Sequence, residues 1–117
     1  MRPRGYSRLA AHFKRPRDRA ERDRDRMALG FYFRPSGFTP DKYDETVSRL
    51  EAAGAGAPEG RTHHFALDVN GSVHVFDVWE SQASFEAFGP TLVPIMTDLG
   101  VDPGEPMVAH VHNQIDG

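Results

Sequence analysis

Val73-His74-Val75-Phe76-Asp77-Val78-Trp79-Glu80-Ser81 reads as a strand that runs straight into a helix. Val and Phe dominate it, as they do on pleated, half-buried surfaces. Ser81 stands at the N-cap position, where a hydroxyl accepts from an orphan N–H of the first helical turn. Phe85, Phe88, Leu92, Ile95, Met96 and Leu99 follow as one apolar stripe, which Gly100 closes. Pro90 and Pro94 lie within that stripe and predict a helix in two pieces.

Upstream, Asn70-Gly71 suits a two-residue type I′ turn between strands over 61–69 and 72–79. That register sets Leu67 opposite His74, Phe65 opposite Phe76 and His63 opposite Val78. One face then carries His63, Phe65, Leu67, Val69, His74, Phe76 and Val78. The other carries His64, Ala66, Asp68, Val73, Val75, Asp77 and Trp79. The first face holds more large apolar groups, which places it under the helices and leaves the second bare.

Further out, Ala28 to Phe33 is a strand-like run ended by Arg34-Pro35-Ser36-Gly37. Thr39-Pro40-Asp41 is a helix start, with an N-cap Thr, Pro in the first position and an acid in the first turn. Tyr43, Val47, Leu50 and Ala53 continue at helical spacing, and Gly54 supplies the stop. Glu105 to Ile115 reads as a last strand, with Met107, Ala109, Val111 and Asn113 on one face and Val108, His110, His112 and Gln114 on the other. The order β-α-β-β-α-β is that of an α+β ferredoxin-like sheet with two helices on one face. A half-apolar bare sheet face calls for a partner.

Charge divides the chain. Residues 1–26 hold ten basic side chains against four acids, a charge of +6, and the remainder carries −9. The Arg-rich stretch has few large apolar residues, so 1–26 reads as a disordered tail and 27–117 as the domain. Met27 directly precedes the first strand-like run, and the tail fits upstream sequence from an early start site better than a nucleic-acid arm. The chain has no cysteine, which excludes disulfides and thiolate chemistry. No run approaches the length of a membrane span, and no apolar segment follows the basic N-terminus. These features set a cytoplasmic protein as the expectation.

Trp79-Glu80-Ser81-Gln82, followed by Phe85 and Phe88, resembles the junction of third strand and second helix in the dimeric α/β-barrel superfamily. That superfamily includes the antibiotic-biosynthesis monooxygenase-like domains. Pro94, Leu99-Gly100 and the closing strand Pro106 to His112 are similar to its small bacterial members. The resemblance covers about residues 27–115 and implies a homodimer whose open sheet faces meet across a barrel. It implies either a cofactor-independent monooxygenase acting on a small aromatic or quinol-like substrate, or a non-catalytic dimeric ligand-binding or assembly protein. Haem-degrading members use an Asn on the first strand, a Trp and a His on the second helix. Here the first strand has no Asn and the second helix no His. The oxygenases hold a phenol with Asn, Trp, Tyr and Arg side chains, for which this sequence offers Trp79, Tyr32, Arg34 and Asn113.

Within this frame His74 or His110 has the intrinsic pKa of a general base, about 6.5, and could deprotonate a phenol or enol so that dioxygen reacts without a cofactor. Trp79 completes the candidate catalytic set. Tyr32, Phe65, Phe76, Phe85, Phe88 and Asn113 are the candidate substrate-binding residues, as walls that hold a ring and exclude water. The same phenylalanines also serve as core, and Trp79 also fits a dimer-interface anchor. His110-x-His112, with His64 and Asp77 or Asp68, is the nearest approach to a metal-binding set. It lacks a complete ligand motif, so no metal and no cofactor are expected. RNA-recognition modules share this strand and helix order, but the acidic domain lacks their basic, aromatic third strand, and no nucleic-acid partner is expected.

Overall fold

The computed structural model describes residues 28–117; the tail expected over 1–26 lies outside the described residues. The elements are β1 (Leu29–Phe33), α1 (Pro40–Ala52), β2 (Arg61–Val69), β3 (Ser72–Trp79), α2 (Gln82–Asp98) and β4 (Met107–His110). The strands form one antiparallel sheet in the order β2-β3-β1-β4, with both helices packed on one side. This is the α+β ferredoxin-like arrangement. No helix of the described residues is long and apolar enough to cross a membrane.

Local chemistry fixes the elements where the sequence marks them. Thr39 accepts from the Lys42 amide at 3.2 Å and Ser81 from the Ser84 amide at 3.1 Å, so each hydroxyl satisfies a donor of a first helical turn. Asn70 (φ 54°) and Gly71 (φ 89°) make the β2–β3 turn, and the Asp68 carboxylate accepts from the Gly71 amide. The β2–β3 pairs are Leu67 with His74, Phe65 with Phe76 and His63 with Val78.

Three expectations need correction. The helices cover the face of Val73, Val75, Asp77 and Trp79, not that of Phe65 and Phe76. Trp79 and Phe31 are fully buried, whereas Phe65 is 53% exposed. The central strand decides this. Leu29, Phe31 and Phe33 stand beside Trp79, Asp77 and Val75 and add three large apolar groups to that face. Phe31 stacks on Phe85 of α2 with ring centroids 4.1 Å apart. The second correction concerns α2, which is one helix through Pro90 and Pro94. Both prolines are exposed, so the carbonyls they leave unbonded face water. The third is β4, which is only Met107–His110; beyond it, residues 111–117 form no strand.

The core has two parts. Phe38, Val73, Val75, Met96 and Val101 pack at one end, and Phe31, Leu50, Trp79 and Phe88 at the other. Between helices and sheet they leave a cavity.

Candidate functional site

The cavity has a volume of about 190 Å³. Phe33, Phe38, Leu50, Phe85, Phe88 and Met96 supply most of its wall, and Tyr43, Thr46, Arg61, His64 and Asp77 supply its polar side chains. A backbone bridge between Ser36 and Asp102 ties the β1–α1 loop to the α2–β4 loop, whose Pro35 and Pro103 complete the lining.

His64 and Asp77 are direct cross-strand neighbours on β2 and β3. Their pairing sets His64 Nδ1 2.5 Å from Asp77 Oδ1. Asp77 is buried, at 6% exposure, and a buried carboxylate needs such a partner. Tyr43, on the first turns of α1, brings its hydroxyl 2.7 Å from His64 Nε2, with the two ring planes nearly parallel. Against a carboxylate acceptor Nδ1 is the donor, and in the tautomer this selects Nε2 accepts from the Tyr43 O–H. Burial pushes the Tyr43 phenol above its ordinary pKa. The positive charge of Arg61 opposes this, and Asp77 and Asp44 reinforce it. Tyr43 is therefore a neutral donor at physiological pH. The set Tyr43–His64–Asp77 is a hydrogen-bonded chain anchored on a buried carboxylate and facing an apolar chamber, an arrangement that can relay a proton.

The residues singled out from sequence are not assembled in this chamber as a group. Phe85 and Phe88 line it. Trp79 lies behind them, 5.7 and 5.5 Å from their rings, and its Nε1 is buried with no hydrogen-bond partner among the described residues. Tyr32, Phe65, His74 and Phe76 stand on the open face, where Tyr32 Oη and His74 Nδ1 are hydrogen bonded at 3.0 Å. His110 is exposed on the outer strand β4. Asn113 lies past β4, beside a groove of about 360 Å³ between residues 111–117 and His63, Phe65, Phe76 and Val78. Gln114 spans that groove by donating to His63 Nε2. Among the described residues no group of three or more His, Asp and Glu is arranged to hold a metal ion.

Tyr43, Arg61, His64 and Asp77 were not foreseen as one site. The available clue was His64 opposite Asp77 in the hairpin register, on a face that also carries Val73, Val75 and Trp79.

No protein-family model matches the chain, and no curated protein matches it. Among solved structures the chain is similar to SnoaB, a cofactor-independent oxygenase from Streptomyces nogalater. The TM-score is 0.56 and the identity 20%, over 77% of this chain and 98% of that one. A mutant of SnoaB superimposes with a TM-score of 0.51 at 20% identity, over 77% of this chain and 96% of that one. At this identity the likeness is one of fold: the chain shares the ferredoxin-like α+β architecture of that oxygenase.

Proposed function

We propose that the chain is a cofactor-independent oxygenase of small phenols or hydroquinones, with His64 as the general base. The observation that carries this reading is the Tyr43–His64–Asp77 relay in the wall of an apolar cavity of single-ring size. Elsewhere, a cavity of about 150 Å³ takes up one benzene, so about 190 Å³ suits one ring with small substituents.

His64 takes the phenol proton, directly or through the Tyr43 hydroxyl, and Asp77 stabilises the imidazolium that forms. The phenolate transfers an electron to dioxygen, and recombination forms a carbon–oxygen bond at a ring C–H carbon. The imidazolium returns its proton to the peroxide. Loss of the C–H proton with cleavage of the O–O bond then gives a quinone and water. One phenol and one dioxygen become one quinone and one water, with all atoms and electrons accounted for. The apolar wall excludes water from the carbanion-like intermediate.

We also propose that the open face, where Phe65, Leu67, Val69 and Met107 are exposed, is the surface on which a second copy of the chain docks. On this reading Tyr32, His74 and Phe76 belong to the docking surface, and the relay, on the opposite face of the sheet, does not.

The test is oxygen consumption with single-ring phenols and hydroquinones, in the presence of a chelator and without flavin. The expected result is one dioxygen consumed per quinone formed, lost in His64→Gln. No uptake with measurable binding would instead make this a ligand-binding protein. Uptake that survives His64→Gln would remove the base from the mechanism.

A further inference from the structure

β2 and β3 pair regularly from Val69 back to His63, and then the register slips by one. Continued pairing would set Thr62 opposite Trp79. A bulge sets Arg61 there instead, on the cavity side of the sheet. A bulge adds one residue to one strand and re-aims the side chains beyond it. Its effect here is to turn a guanidinium toward an apolar chamber and an exposed threonine away from it.

The preceding residue holds this geometry. Gly60 has φ +92°, and a Cβ there would lie 2.4 Å from Ser84 Cβ at the start of α2. Only glycine fits both the conformation and the approach. The Gly60 carbonyl accepts from the Glu80 amide at 2.8 Å, which fixes where β2 begins.

Arg61 is held but not neutralised. Its guanidinium carbon stands 6.0 Å from the Phe88 ring centroid, and one N–H donates to the Gly56 carbonyl at 3.2 Å. A guanidinium has five N–H donors. Among the described residues no carboxylate pairs with it; Asp77, across the cavity lining, is taken up by His64. The chamber wall therefore carries a cation, Arg61, without a carboxylate partner among the described residues, near enough to the acid–base set for its charge to act on Tyr43.

We infer that Arg61 is the specificity residue of this cavity and that its ligand is a single-ring aromatic acid carrying a hydroxyl. The carboxylate takes the free N–H groups of Arg61, the ring fills the space between Phe85, Phe88 and Phe33, and the hydroxyl meets the relay. The reverse orientation sets a carboxylate against Asp77, so the charges also fix which end of the ligand reacts. The inference rests on the cavity being the substrate site, as proposed above, but it can be tested without turnover.

The experiment is calorimetric titration of the full chain with meta- and para-hydroxybenzoate and with the two corresponding amides. The wild-type protein is expected to bind at least one acid about tenfold or more tightly than its amide, the scale of hydrogen bonds to a charged group. Arg61→Gln is expected to erase that preference, Arg61→Lys to keep part of it, and His64→Gln to leave it intact. Equal binding of acids and amides to the wild type, a preference that survives Arg61→Gln, or no binding by any of the four compounds would each overturn the inference. The wild-type comparison stands even where a variant fails to fold. Arg61-dependent binding without oxygen uptake would end the oxygenase reading and keep this one. Uptake of neutral phenols that depends on His64 but not on Arg61 would do the reverse.

Discussion

The sheet carries a tyrosine–histidine hydrogen bond on each face. Tyr43 and His64 meet at 2.7 Å on the helix side, and Tyr32 and His74 at 3.0 Å on the open side. The residue types are the same and the chemistry is not. Behind His64 stands a buried carboxylate that pairs with its Nδ1, and in front of it lies a largely apolar chamber. Among the described residues His74 has no carboxylate behind it, and it lies on the open face. What separates the two pairs is the third partner and the apolar cavity, not the pair itself.

The largest expected difference between the faces is in stability. Phe31→Ala, at a fully buried ring stacked on Phe85, should cost about 3–5 kcal/mol in denaturant unfolding. Phe65→Ser on the open face should cost no more than about 0.5 kcal/mol in dilute protein. A cost for Phe65→Ser that grows with protein concentration would support the docking of a second copy.

Activity should divide the same way. His64→Gln is expected to lower oxygen consumption by about 10²-fold or more, whereas His74→Gln should leave the basal rate unchanged. An equal loss in both would erase the distinction between the two pairs.

A smaller effect is expected at alkaline pH. The Tyr43 pKa is raised above 10.0 in the folded chain, mainly by burial. Above that pH the unfolded chain releases this proton while the folded chain keeps it. The stabilisation is complete below pH 10 and is lost as pH rises through the folded value. Tyr43→Phe should flatten this alkaline decline of the melting temperature, and Tyr32→Phe serves as the comparison on the other face.

The smallest effect belongs to Arg49, which bonds Glu45 on its own helix and Asp98 of α2. These groups are exposed, and Arg49→Ala should shift the melting temperature by little more than experimental error, less still in high salt.

Much of the fold was legible because short-range chemistry specifies it. Thr39-Pro40, Asn70-Gly71 and Ser81 each mark a boundary that the structure keeps. The choice of face was not legible from the hairpin alone. Phe65, Leu67, Val69 and Phe76 outweigh Val73, Val75 and Ala66 when only β2 and β3 are counted. The balance reverses once Leu29, Phe31 and Phe33 stand in the middle of the sheet. Asp77 and His64 added to the error, because a charged pair on a strand reads as a solvated face. Here Asp77 is buried, His64 is half-buried, and the pair is the candidate site; a functional site is where binary patterning is expected to fail. Arg61 was hidden for another reason: alternation from the Asn70-Gly71 turn assigns it to the wrong side, and Gly60 before it reads as the end of a loop rather than as the mark of a bulge.

The single tryptophan of the chain has its indole N–H buried with no acceptor among the described residues. Its neighbours Phe85 and Phe88 present other atoms to the cavity. The protein thus carries its own optical probe. Emission from Trp79 should lie far to the blue in the folded state and move to the red on unfolding. Any ring that enters the chamber and shifts the two phenylalanines should register in that spectrum without a label.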